Sequence, residues 1–141
     1  MDDLERFVAA QDETGWEEIL NELRCGRKTG HWIWFVFPQL RGLGLSGMSE
    51  RYGIAGIDEA RAYLAHPVLG PRLREGVAVL IAHEGRTAAA ILGETDAMKF
   101  RSSLTLFGAA AAEPGVFGEA LAQYFGGAED PLTRRMLDAT A

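Results

Sequence analysis

The chain has 141 residues, 48% of them hydrophobic, and a formal charge of −6. That length is one domain's worth and buries roughly two thirds of the unfolded surface, so a core forms without staples. The acidic balance excludes a general nucleic-acid binder, which must neutralise phosphates with a basic face, and the single cysteine, Cys25, excludes an intrachain disulfide and suits a reducing compartment.

The N-terminal MDDLER carries no basic n-region and no apolar h-region, so a targeting segment is not expected. Leu4, Phe7 and Val8 recur at helical spacing, and Thr14 followed by Glu17 reads as a capping box that opens a second helix through Leu23, with Gly26 as its stop. Cys25 reads as a small buried hydrophobe rather than a nucleophile, since no histidine lies beside it. The basic cluster Arg24, Arg27 and Lys28 reads as a solvated helix end, as does Arg134/Arg135, because cations complement the C-terminal dipole. From Trp32 to Phe37 every residue is apolar; strand propensity and a buried helical turn both fit, and Pro38 ends the run either way.

Beyond a Gly/Ser loop at 42–49, Ile57, Ala60, Tyr63 and Leu64 mark one helix face that stops at His66-Pro67, because the residue before proline avoids the helical region. Leu69, Leu73, Val77, Leu80 and Ile81 mark the next helix, with Pro71 tolerated in its first turn. Further helices are expected over about 96–110, about 116–124 and 131–137, the last opened by Asp130 as N-cap. No repeat or dividing linker occurs, which predicts a single domain over 1–141. No apolar run approaches membrane-spanning length, so a cytoplasmic protein without a membrane partner is expected.

Polar groups concentrate in two places. Around the aromatic run, His31, Gln39, Ser46, Ser49 and Tyr52 accompany Trp32 and Trp34, which suggests a pocket wall beside a pocket rim. Gly42, Gly44 and Gly47 satisfy G-x-G-x-x-G, yet the strand, the βαβ unit and the acidic residue about twenty positions later that a dinucleotide fingerprint requires are missing. The loop then reads either as a different phosphate or hydroxyl cradle, or as a turn demanding positive φ, with Ser46 and Ser49 capping the segment after it.

On the 96–107 stretch, Asp96, Lys99 and Ser103 share a helical side with Phe100 and Phe107, while Ser102 and Thr105 add hydroxyls to a region built for burial. Either Asp96 pairs structurally with Lys99 at i,i+3, or the two carry chemistry. The three histidines show no metal spacing, and a Ser–His–Asp set drawn from Ser46 or Ser103, His31 and Asp96 lacks the G-x-S-x-G elbow. His31 reads more simply as a satisfied core histidine, and His66 as a hinge between helices.

A longer pattern, K-x-x-H-W-[MI]-W-F-x-F-P-Q-x-x-G-L-G-x-S from Lys28 to Ser46, resembles the signature of the bacterial family catalogued as domain of unknown function 1810. EARAYLAHPVLGPRL at 59–73, LGETDAMKFRSSLTLF at 92–107, GGAEDPLT at 126–133 and RFVAAQ at 6–11 extend the likeness over nearly the whole chain. The resemblance implies an all-α fold: a single compact multihelical domain with a short buried central helix, so 32–37 is expected to be helical. It implies no established activity. Some members carry a calpastatin-like label, but a flexible polar inhibitor is a poor description of a chain this apolar and aromatic.

These observations predict a core centred on Trp32, Trp34, Phe35 and Phe37, and two functional readings. In the first, the protein is a small-molecule-binding hydrolase for a nucleotide- or ADP-ribose-like ligand. Trp32 or Trp34 stacks a base, the loop from Gly42 and Gly44 to Ser49 cradles phosphate or ribose, Lys99 or Arg72 neutralises charge, and Asp96 activates water. The Asp-x-x-Lys pattern is also similar to that of helical families that process NAD or ADP-ribose N-glycosides. The second reading is a non-catalytic binding or interaction domain. Neither calls for a cofactor or a metal; the expected partner is a small molecule, with neither nucleic acid nor membrane involved. A pocket shared by the 42–49 loop and the 96–103 helix turn, with Trp32 or Trp34 on its wall, is the geometric expectation.

Overall fold

The computed structural model describes residues 3–139, so the first two residues of MDDLER lie outside the described residues. Within that span the chain is all-α, as expected: α1 (Glu5–Thr14), α2 (Trp16–Cys25), α3 (Ile33–Val36), α4 (Gly47–Arg51), α5 (Ile57–Ala65), α6 (Leu69–Ile81), α7 (Ala88–Leu92), α8 (Glu94–Ala110), α9 (Gly115–Phe125) and α10 (Pro131–Ala139). None of these helices is long and apolar enough to cross a membrane.

The longest helix, α8, is the hub. Its nine buried residues include the unbroken run 102–107, and α5, α7, α9, α10 and α3 pack against it, as expected of a helix whose C-terminal half is buried all round, while Glu94, Thr95 and Met98 in its first turns are exposed. Phe100 stacks edge-on to Phe37 at 4.9 Å, and Phe107 meets Tyr63 at 5.1 Å and Phe117 at 6.1 Å. The aromatic run resolves as the four-residue α3, flanked by Trp32 and Phe37, both fully buried. A strand here would need a neighbouring strand for its ladder; helices surround the run, so burial overrides β-propensity. Gln11, itself buried, anchors α3 by donating from Nε2 to the Phe35 carbonyl at 2.8 Å.

Two local expectations give way. Thr14 caps nothing: it is the last residue of α1, and Gly15, at φ 98°, turns the chain into α2 without a side-chain cap. A left-handed glycine reverses direction within one residue and leaves no extended position for a threonine cap. Cys25 is exposed rather than buried, because it falls on the outer side of the last turn of α2, whose inner side is Ile19, Leu20 and Leu23. Elsewhere the punctuation holds: Gly26 is left-handed at the end of α2, and α5 stops at His66. His66 does more than bend the chain, since its Nδ1 accepts the N–H groups of Val68 and Leu69 at 3.1 and 3.2 Å where α6 begins.

The hydroxyls of α8 find structural employment. Ser102 donates to Asp130 Oδ2 at 3.0 Å, Thr105 Oγ1 accepts the Asp130 N–H at 2.9 Å, and Asp130 Oδ2 caps α10 by accepting the Thr133 N–H at 3.2 Å. Asp130 is therefore the expected N-cap, and Ser102 belongs to it rather than to a ligand site. The 39–54 region is closed by a single parallel bridge, Leu40 to Ile54, and by Arg6 and Arg41, which both donate to the Gly53 carbonyl at 3.0 and 3.1 Å.

Candidate functional site

The site begins with a carboxylate that the sequence did not single out. Glu22, on α2, accepts from the Thr29 N–H at 2.7 Å, the Gly30 N–H at 2.9 Å and the Trp32 indole N–H at 3.0 Å. Burial pushes its carboxyl up, but those three donors and the nearby Lys28 charge outweigh it and hold the group below its ordinary value. This clasp fixes the 29–32 turn and with it the entry to α3.

Lys28 is folded inward by the same turn. Its side chain is only 7% exposed, its ammonium lies 2.7 Å from Asp96 Oδ2 and 4.9 Å from the Trp32 ring centre, and it also donates to the Gly30 carbonyl. The reading of Lys28 as a solvated helix end is thus overturned: a buried ammonium needs a carboxylate, and Asp96, three residues into α8, supplies it. On its other oxygen Asp96 faces Lys99 at 3.8 Å, and the Lys99 ammonium sits 4.8 Å from the centre of the Trp34 ring. A chain of charges and rings, Glu22–Trp32–Lys28–Asp96–Lys99–Trp34, therefore runs from α2 across α8 to α3.

Trp34 is the member that meets the outside. Unlike Trp32 it is only partly buried, a correction to the core expected from sequence; in a four-residue helix the alternate positions cannot all face inward. Its Nε1–H is nonetheless buried and, among the described residues, has no hydrogen-bond partner. Trp34, Gln39, Leu40, Ser49, Tyr52 and Gly53 line a notch of about 10 Å³, room for one water-sized group on that measure. The Gln39 amide and the Tyr52 hydroxyl make no hydrogen bond within the described residues either, and Ser49 Oγ is engaged only by Ser46 Oγ, at 3.0 Å.

The 42–49 loop and the 96–103 turn thus both reach Trp34 but do not line one cavity: Ser49 borders the notch, Lys99 lies on the ring, and no residue of 96–103 lines the notch. Of the loop glycines, Gly42 has the expected positive φ of 100°, whereas Gly44 is needed for space, since a Cβ there would lie 2.3 Å from Ser49 Oγ. Ser46 caps α4 by accepting the Ser49 N–H at 3.1 Å.

Several candidates fall away from this centre. Trp32 is fully buried and cannot stack a base. His31 is exposed, contrary to the core reading, and does not border the notch. Arg72 binds Asp12 at 2.9 Å and Gln11 at 3.2 Å and lies over Trp16, so it braces α6 against α1 and α2. Ser103 is buried in α8. The Ser–His–Asp set is not assembled: Ser46 is paired with Ser49, Asp96 with two lysines, and His31 with neither. The chemistry-bearing residues missed in sequence, Glu22 and Lys28, are long-range partners of groups that were noticed; only the lysine opening the 28–46 pattern hinted at them.

The molecule is a small helical domain, with tryptophans and lysines clustered where α2, α3 and α8 meet. The sequence profile described as protein of unknown function (DUF1810) matches residues 1–137, and the chain belongs to that family. It is similar to the conserved hypothetical protein Rv1873 from Mycobacterium tuberculosis, whose crystal structure at 1.38 Å shares 48% identity, covers 96% of each chain and superposes with a TM-score of 0.94. Comparison with curated protein sequences gave no match.

Proposed function

We propose that this protein is a small-molecule-binding domain that recognises a nucleotide- or ADP-ribose-like ligand at Trp34. The observation that carries the reading is the buried, unpartnered Trp34 indole N–H on a notch where Gln39 and Tyr52 also hold unused hydrogen-bonding groups. Buried polar groups are nearly always satisfied, so an unsatisfied donor on a notch of this size calls for one oxygen from outside the chain, a water or, in its place, an atom of a ligand. The Lys99 ammonium lies over one face of the partly exposed ring and offers a positive charge for an anionic end, so a base would stack on the opposite face.

Asp96 bears on whether the ligand is also cleaved. A carboxylate that activates water needs a free oxygen, and both oxygens of Asp96 face ammonium groups. That pairing favours the non-catalytic reading, with Asp96 orienting lysines. The exposed, unpaired Cys25 supports a reducing, cytoplasmic setting.

The test is thermal denaturation with ADP-ribose, NAD and nucleotides. A ligand at a hundred times its Kd adds about 2.7 kcal/mol of stability, and Trp34→Ala removes that gain. Chromatography of the incubated ligands with wild type and Asp96→Asn reads out hydrolysis separately. A melting temperature unmoved by every compound defeats the binding reading; product formation that Asp96→Asn abolishes restores the hydrolase.

A further inference from the structure

We infer that the notch beside Trp34 is a hydroxyl pocket: it receives one uncharged oxygen of a sugar or polyol and turns phosphate away. The inference rests on the binding reading above and specifies which part of the ligand enters. Size is the first argument. About 10 Å³ admits one heavy atom with its hydrogen, whereas a phosphoryl group brings three peripheral oxygens at once.

Charge is the second argument. Trp34, Gln39, Leu40, Ser49, Tyr52 and Gly53 supply no formal charge. An anion entering there would lose its hydration against neutral lining groups, because the neighbouring guanidinium groups are turned elsewhere, Arg6 and Arg41 to the Gly53 carbonyl and Arg51 to the Tyr52 ring, while the ammonium of Lys99 lies on the Trp34 ring, where an anionic end can stay partly hydrated.

Hydrogen-bond polarity is the third. The indole N–H can only donate, while the Gln39 amide and the Tyr52 hydroxyl can each donate or accept. A ligand oxygen must therefore accept from Trp34 and is best served if it also donates to Gln39 or Tyr52. A hydroxyl does both; a carboxylate or phosphate oxygen only accepts. A site built to hydrogen-bond a hydroxyl discriminates strongly against ligands that cannot return the bond.

The experiment is a ¹H–¹⁵N spectrum of the indole groups of the full chain, which has three tryptophans, with Trp34→Phe identifying the Trp34 signal. D-ribose and inorganic phosphate are titrated separately at matched ionic strength. Ribose should move the Trp34 signal saturably, phosphate should not, and Tyr52→Phe should weaken the ribose response about tenfold, the worth of one good hydrogen bond. A Trp34 signal unmoved by ribose means a resident water only and overturns the inference. A response to phosphate equal to that to ribose also overturns it. The two readings fail differently. Ribose moving Trp34 while ADP-ribose and nucleotides leave the melting temperature unchanged removes the nucleotide reading and keeps the hydroxyl pocket. ADP-ribose binding that is indifferent to both Tyr52→Phe and Gln39→Leu does the reverse.

Discussion

Removing the Glu22 clasp tests the architecture on which the site depends. In Glu22→Ala the Thr29 N–H, which is exposed, regains a water at little cost, but the Gly30 N–H and the Trp32 indole N–H are partly buried and lose their acceptor. Each such loss costs about 1–3 kcal/mol, and because both groups are only partly buried each falls in the lower part of that range, so the variant should be destabilised by about 2–4 kcal/mol. It should still fold, since a domain of this size has about 5–15 kcal/mol in hand. Glu22→Gln keeps an acceptor oxygen and loses the charge, for a cost of about 1 kcal/mol.

The pH dependence follows from the depressed carboxyl. A group whose folded value lies below its ordinary 4.5 contributes stability that is fully present above that value and fades as the pH falls through the folded value. The stability difference between wild type and Glu22→Gln should therefore be flat above about pH 5.5 and shrink below about pH 4.5. Urea denaturation at a series of pH values measures it. A difference constant down to pH 3, or a Glu22→Ala loss under about 0.5 kcal/mol, a size typical of ordinary surface substitutions, refutes the clasp.

Other perturbations bear on the core, the ion chain and the helix packing. Trp32→Ala should cost about 3–5 kcal/mol as a fully buried indole, and partly buried Trp34→Ala distinctly less, about 1–3 kcal/mol; equal losses by chemical denaturation would contradict their different burial. Lys28→Met leaves Asp96 facing only Lys99 at 3.8 Å and should cost about 2–3 kcal/mol, below the 3–5 of a fully buried pair because Asp96 is 18% exposed. A double-mutant cycle with Asp96→Asn should then show coupling above about 0.5 kcal/mol. Gly70→Ala pits two effects against each other: helix propensity favours alanine by about 1 kcal/mol, but its Cβ would lie 2.1 Å from the Leu64 carbonyl oxygen. The clash should win, with a net loss of about 1–3 kcal/mol, and a raised melting temperature would show that the α5–α6 corner yields.

Periodicity and punctuation made most of the fold legible, because they are local. Gly26, His66-Pro67 and Asp130 end or begin helices through their own backbone preferences and side-chain reach, so each can be read within four residues of sequence. The short α7 escaped for the same reason: five residues capped by Thr87 present too little periodicity to register. The helical state of 32–37 was undecidable from its own residues, since it depends on what surrounds the run rather than on the run itself.

The site was legible only as an inventory. Trp34, Ser49, Asp96 and Lys99 were all visible as anomalies, but which of them are spoken for is a matter of partners far away in sequence. Asp96 shows this most sharply. On α8 alone it is an i,i+3 neighbour of Lys99 and a plausible free base; Lys28, 68 positions earlier, closes to 2.7 Å and makes it an acceptor already engaged. Ser102 is likewise taken by Asp130, 28 positions on. Once those pairings are subtracted, what stays unpaired around the notch, among the described residues, is neutral: the Trp34 N–H, the Gln39 amide and the Tyr52 hydroxyl. The charges of Lys28, Asp96 and Lys99 hold the 28–32 turn and Trp34 against α8.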